Sequence, residues 1–253
     1  MPAVLIIPCF NEAKRLSIEE VETLMLKESL SLTFVDDGSD DGTRSMLENL
    51  RQRWDQRVQV IVNEQNCGKA ESVRKGLLDA LQNGATIAGY ADADFSTPAS
   101  ELIRLLNIIE TTGHKVVMGS RIRHLGVVIQ RSAFRHYIGR VFATLAAMIL
   151  KLPVYDTQCG AKWFKTSDTL RHSLTSPFRS RWAFDVELIG RLHKGFANQN
   201  AYAQDDFLEV PLNQWIDLGE SKISLKDKLQ ILYDLTRIWL DLSSIRSSHI
   251  GDG

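Results

Sequence analysis

Cysteine is scarce in this chain: Cys9, Cys67 and Cys159 are the whole complement in 253 residues. An odd number at such spacings fits neither a zinc cluster nor a disulfide framework, which leaves reduced thiols in a cytosolic setting. Long apolar runs are missing too. The longest, "VFATLAAMILKL" from Val141, falls well short of the roughly 20 residues that a spanning helix needs, so unaided membrane crossing is not expected. The start, "MPAVLIIPCFNE", has neither the basic beginning nor the apolar stretch of a signal peptide and reads as a first strand. Net charge is small: 30 basic against 31 acidic side chains leave −1, which gives no overall reason to expect a nucleic-acid partner. One scarcity is local. Between Glu110 and Asp156 no acidic residue occurs, while Lys115, Arg121, Arg123, Arg131, Arg135, Arg140 and Lys151 are all basic. In a chain of balanced charge this is a local anion site or a membrane-facing surface; the alternative is a solvated helix face whose long side chains cover apolar surface.

What is present is an alternation. Apolar, β-branched runs ("AVLIIP", "LTFVDD", "VQVIVN", "TIAGYAD", "KVVMGS") are separated by helical patterns at 17–28, 41–54, 68–82 and 97–111. Five strands with four intervening helices predict an α/β domain, a largely parallel sheet with helices on both faces. The length suits one main domain. Ser17 with Glu20 matches a capping box, and Thr97 before Pro98 predicts Pro at the first helical position. In such sheets ligands bind beyond the carboxyl ends of the strands. That rule gathers Pro8, Asn11 and Glu12; Asp36, Asp37, Gly38 and Ser39; Asn66, Gly68 and Lys69; and Asp92 with Asp94, all on one edge.

Each cluster has two readings. If the fourth strand runs through Ala91, Asp92 and Asp94 share a face, and two carboxylates so placed repel unless a cation or donor sits between them. Hard oxygen ligands with open positions suit Mg²⁺ or Mn²⁺ shared with substrate phosphates; the alternative is a solvated acidic turn. "VDDGSDDGT" is either a plain turn or a loop placing Asp36 or Asp37 against a ribose or base. "NEQNCGKAESV" sets Gly68 and Lys69 at a helix start that favours an anion, but it lacks phosphate-loop spacing, so a simple cap is equally open.

Together, "IIPCFNE", "FVDDGSDDGT", "NCGKAESVRKGL", "ADADFSTP", "VMGSRI", "YDTQCGAKWF" and "RWAFDVEL" resemble the family 2 glycosyltransferases, and more narrowly the dolichyl-phosphate and polyprenyl-phosphate glucosyltransferases. The likeness runs from Val4 to about Ser224. It implies the GT-A fold over 1–224, with 225–253 a C-terminal amphipathic helix and tail. It also implies that a divalent cation, Mg²⁺ or Mn²⁺, holds a sugar nucleotide. Residue by residue, it assigns Pro8, Asn11, Glu12, Asp36 and Asp37 to the nucleoside with Lys69 nearby. Asp92 and Asp94 become the DxD that meets the metal, and Ser96 stands where related enzymes often have a further ligand. Arg121, Arg131 and Arg135 correspond to residues near a lipid phosphate. Asp156 is the first candidate for a carboxylate at the reacting centre and Asp185 the second; Gln214 and Trp215 also fall near the site. The chain departs from the family's habit at Cys9 and at Ala161, where Phe often follows "QCG".

Residues 132–152 put arginines ahead of an apolar stripe, which fits a helix in the lipid interface or a core helix. The stretch from Leu225 to Leu242 carries a second stripe, compatible with packing on the domain or with membrane contact. Trp163, Trp182 and Phe184 line either a sugar or the core. The expected function is inverting transfer of a hexose, glucose first, from a UDP-sugar to a polyprenyl phosphate, by a peripheral protein at the inner face of the membrane. The rivals are a family 2 enzyme using GDP-mannose or a saccharide acceptor, and a non-catalytic nucleotide-sugar-binding membrane scaffold.

Overall fold

The structure is a computed structural model. It describes residues 3–122, 128–130, 133–196, 200–216 and 225–247, with side chains left undescribed at 128–130, 133–140, 225–229, 231–232 and 244–247. The five expected strands are β1 (Ala3–Cys9), β2 (Leu30–Asp36), β3 (Val58–Val62), β4 (Ile87–Ala91) and β5 (Val116–Ser120). Between them lie α1 (Ile18–Met25), α2 (Thr43–Arg53), α3 (Lys69–Gln82) and α4 (Ala99–Thr111). After a short β6 (Val128–Gln130) come α5 (Ala133–Leu150), β7 (Ala161–Lys165), α6 (Asp168–Ser173), α7 (Phe184–Lys194), β8 (Phe207–Pro211), β9 (Gln214–Ile216) and α8 (Leu225–Ser247).

Seven strands form the main sheet in the order β3-β2-β1-β4-β7-β5-β8, and β6 pairs with β9 separately. β7 alone runs antiparallel, wedged between β4 and β5. Its sequence, "AKWFK", lacks the alternation that marks a strand, because Lys162 points into the interior and is wholly buried. The consequence for the site is direct: reversal brings the start of β7 to the carboxyl end of β4, so Ala161 lies opposite Ala91.

Alternate residues of the strands feed two cores. Leu5, Ile7, Leu32 and Phe34 pack with α1, α2 and α4, while Ile6, Ala88, Tyr90 and Phe164 pack with α3, α5, α7 and α8. The helix starts differ in detail from the sequence expectation. Ser17 Oγ accepts from the Glu20 amide as a cap should, but the Glu20 carboxylate accepts instead from the Ala99 amide at 2.6 Å, tying α1 to the start of α4. Pro98 is the N-cap of α4 and not its first helical residue. α8 packs on the domain through Leu235, Ile238 and Leu242, all nearly inaccessible, and leaves Tyr233, Trp239 and Leu240 exposed.

Gly89 shows how tightly β7 is wedged. A methyl group there would stand 2.4 Å from the Trp163 ring and 2.5 Å from the Lys162 carbonyl oxygen. Neither group can give way, since both belong to a buried neighbouring strand. Gly89→Ala should therefore cost about 2–3 kcal/mol, read as a lower urea midpoint at unchanged slope. An unaltered midpoint would show that the wedge is looser than drawn.

Candidate functional site

All four parallel strand ends open on one edge, as the ordering of the motifs requires. The loop after β1 is stitched to the loop after β2. Asn11, at a positive φ of 54°, donates its amide to Ser39 Oγ at 3.1 Å and accepts at Oδ1 from the Asp40 amide, and the Glu12 amide donates to Thr43 Oγ1 at 2.8 Å. Asp36 is completely buried and holds Arg44 Nε at 2.9 Å and the Ser39 amide at 3.0 Å. The Asp37 carboxylate receives Asn63 Nδ2 and the amides of Cys67 and Gly68, the last at 2.7 Å. Both carboxylates are thus engaged within the protein: Asp36 ties the loop after β2 to α2, and Asp37 shapes the start of α3. Gly38, at φ 73°, fits there because a Cβ would meet the Gln65 and Asn66 backbone at 2.8–2.9 Å.

β4 ends at Ala91, so Asp92 and Asp94 do not share a strand face; a tight turn sets them, with Phe95 at φ 50°. Each carboxylate meets its own cation. Lys69 Nζ pairs with Asp92 Oδ1, and Arg15 donates to Asp94 Oδ2 at 2.7 Å, while the Ser96 amide donates to Asp94 Oδ1 at 3.0 Å. Partial burial pushes the Asp92 carboxyl up, but Lys69, with Arg121 and Lys162 behind it, outweighs burial and holds it below the usual carboxylate range. Burial pushes Lys69 down, and the Asp92 and Asp185 charges more than restore it. Ser96 is buried and its carbonyl accepts from the Ile216 amide, which anchors β9 under the turn.

The third wall is the "DTQCG" loop. The Asp92 amide donates to the Gly160 carbonyl, and a Cβ at residue 160 would stand 2.1 Å from Asp92 Oδ2, so only glycine lets this loop touch the DxD turn. Asp156 grips Arg121 in a fork: Nε to Oδ2 at 2.7 Å, a terminal nitrogen to Oδ1 at 2.8 Å, and the Arg121 amide to Oδ2 at 3.0 Å. Burial would raise the Asp156 carboxyl, but Arg121 draws it down to about 2 from an ordinary 3.8. Glu209 accepts from the amides of Tyr155 and Asp156 at 2.7 and 2.6 Å and fixes the pair from below, its own carboxyl raised by burial. The Arg121 guanidinium also lies 5.4 Å from the Trp215 ring. Buried Cys159, at the end of the loop, is pushed up to about 12 by burial and the Asp156 charge. Asp185 sits deeper: it accepts from Lys162 Nζ and from the Tyr90 hydroxyl, beneath the Gly160 turn.

The structure therefore brings Asn11, Glu12, Lys69, Asp92, Asp94, Ser96, Arg121 and Asp156 to one edge, with Pro8 partly buried at the end of β1. Arg131 lies outside the described residues, and Arg135 is placed by its backbone on α5 only. Trp163 belongs to the core, its ring nitrogen donating to the Leu102 carbonyl, and Phe184 is buried below Lys69. Gln214 is exposed. Arg15, Arg44, Lys162 and Glu209 were not legible as site residues, since a lone cation or carboxylate in a helix turn or strand has no sequence signature. Among the described residues no three His, Cys, Asp or Glu side chains gather as a ready metal cage. Two hard carboxylates at a strand end still fit Mg²⁺ or Mn²⁺ completed by phosphate oxygens and water.

A carboxyl depressed by folding stabilises above its unfolded pKa and loses that contribution as pH falls through the folded value. For Asp156 the window is pH 4 to 2. Wild-type protein should lose roughly 1 kcal/mol more stability than Asp156→Asn between pH 7 and pH 3 in urea unfolding. Equal losses would mean that the fork does not form.

The sequence profile described as "Glycosyl transferase family 2" matches residues 4–171. Dolichyl-phosphate beta-glucosyltransferase of Homo sapiens is 32% identical over 244 residues, covering 87% of this chain and 74% of that protein. The Drosophila melanogaster protein of the same name is 30% identical, over 93% and 73% of the two chains. Polyprenol monophosphomannose synthase of Mycolicibacterium smegmatis is 25% identical, over 87% and 80%. Among solved structures, glucosyl-3-phosphoglycerate synthase of Mycobacterium tuberculosis, in complex with Mn²⁺, UDP and phosphoglyceric acid, superposes with a TM-score of 0.65 at 18% identity, over 94% of this chain and 78% of that one. This last likeness concerns the fold.

Proposed function

The chain belongs to glycosyl transferase family 2, and from that premise we propose that it moves a hexose, glucose first, from a UDP-sugar to a polyprenyl phosphate with inversion at the anomeric carbon. The relatives named for dolichyl phosphate and polyprenol support the acceptor class, and those named glucosyltransferases support the sugar. The observation that carries the reading is the Asp156–Arg121 fork beside the DxD turn. It offers a fixed cation, not a base: a carboxylate at about 2 and locked in three hydrogen bonds from Arg121 is a poor proton acceptor at pH 7. A phosphate monoester, with a second pKa near 6, is already largely ionised there and asks only for placement. Arg121 would hold the acceptor phosphate, joined in this reading by Arg131 and Arg135, with Asp156 as its orienting carboxylate and Asp185 as a buried support.

On the donor side, Pro8, Asn11, Glu12, Asp36 and Asp37 would shape the nucleoside pocket, with Lys69 at the diphosphate. Mg²⁺ or Mn²⁺ on Asp92 and Asp94, beside Ser96, would supply charge neutralisation for the leaving nucleoside diphosphate. The Mn²⁺ and UDP of the M. tuberculosis synthase agree with that assignment.

Attachment to the inner face of a membrane fits the outer surfaces of α5 and α8. Val141, Leu145 and Met148 form one exposed stripe on α5, and Tyr233, Trp239 and Leu240 stand exposed on α8. A groove of about 360 Å³ lined by Ala143, Thr144, Ala147, Met148, Val154 and Tyr155 runs from that stripe to the residue before Asp156, a path suited to an apolar chain. No described helix is long and apolar enough to cross a membrane. In this reading 1–224 is the catalytic unit, and 225–253 adds a helix at the membrane side.

The test is incubation with radiolabelled UDP-glucose, Mg²⁺ or Mn²⁺ and a polyprenyl phosphate. Label should enter the lipid phase, chelator should abolish transfer, and Asp94→Asn should reduce it roughly 100-fold or more. Label from GDP-mannose alone would reassign the donor, and an unlabelled lipid phase with every common nucleotide sugar would overturn the acceptor class.

A further inference from the structure

Arg15 lies in the turn before α1, a region assigned no part in the chemistry, yet its guanidinium reaches Asp94 Oδ2 at 2.7 Å and Glu12 Oε1 at 3.5 Å. Its Nε is buried and without a hydrogen-bond partner. The Asp94 carboxylate is thereby engaged at both oxygens: Oδ1 accepts from the Ser96 amide and Oδ2 from Arg15. Asp92 pairs with Lys69 through Oδ1. A divalent ion drawn to these carboxylates meets a resident cation at each and competes with it for the same charge. Arg15 has an orphan N–H and a planar fork, which carboxylate and phosphate oxygens satisfy equally well.

We propose that Arg15 is a displaceable counter-ion of the DxD turn: it holds Asp94 in the absence of donor, gives way to the divalent ion, and then donates to an oxygen of the donor's diphosphate. The inference rests on the donor and metal assignment above. It predicts that one substitution shifts two affinities in opposite directions. Arg15→Met removes the competitor for Asp94, so Mn²⁺ alone should bind roughly 3- to 10-fold tighter. It also removes a charge-assisted hydrogen bond to phosphate, so UDP at saturating Mn²⁺ should bind roughly 10-fold weaker or more.

The experiment titrates the full chain with Mn²⁺ alone, following the free-ion paramagnetic resonance signal, and then with UDP at saturating Mn²⁺ by calorimetry. Wild type, Arg15→Met and Arg15→Lys are compared, with thermal midpoints to establish folding. Arg15→Lys keeps the competing charge and loses the fork, so its Mn²⁺ affinity should stay near wild type while UDP weakens; it carries the test if Arg15→Met does not fold. Affinities that fall together, or stay put together, would assign Arg15 a structural role and overturn the inference. If wild type binds UDP with Mn²⁺ and only the opposite shift is missing, the donor assignment survives; if wild type binds neither, both fall.

Discussion

Carboxylates cannot be gathered at one sheet edge without a cation or an amide for each. Asp36 has Arg44, Asp92 has Lys69, Asp94 has Arg15, Asp156 has Arg121 and Asp185 has Lys162, while Asp37 is held by backbone and side-chain amides. Each pair offsets the desolvation and mutual repulsion that would otherwise neutralise the acids or drive them apart. A net charge of −1 conceals this, because the pairing is local. The same arrangement leaves the edge polar, ordered and near neutral, the condition under which a further cation and a diphosphate can enter together.

Topology makes the pairing possible. β7 runs against its neighbours, so the loop that precedes it arrives at the end of β4 from the side opposite α3. Lys69 then approaches Asp92 from one flank and Gly160 from the other, with Lys162 and Asp185 buried underneath. Arg121 leaves the end of β5 next door and meets Asp156 as the chain returns from α5. Reversal of one strand thus joins the half of the edge built from the first four strands to the half that faces α5.

Much of this was legible in the residues. Continuous apolar, β-branched runs located five strands because those strands feed a core on each side, and period-3.6 patterns located four helices because each helix has one apolar face on a core. The strand-end rule collected Asn11, Asp36, Lys69, Asp92 and Asp94 correctly, since it depends on chain direction alone. What escaped has a common cause. β7 is disguised by Lys162, whose burial is tolerable only through Asp185, a partner distant in sequence. β4 ends at Ala91, three residues short of Asp94, and the turn with Phe95 at positive φ follows before a shared face can form. Arg15 and Glu209 act on residues far along the chain, at Asp94 and Asp156, and tertiary partners of that kind leave no periodic trace. The reach of Glu20 to Ala99, in place of a closed capping box, is the same lesson at a helix start.

The central claim is that this edge, at Asp92 and Asp94, is where a nucleoside diphosphate meets its metal. The most direct measurement is anomalous scattering from crystals of the protein grown with UDP and Mn²⁺. The account predicts one Mn²⁺ peak between these carboxylates and the diphosphate, with the Lys69–Asp92 and Arg15–Asp94 pairs opened. Ordered UDP with no peak there, and both pairs intact, would contradict it.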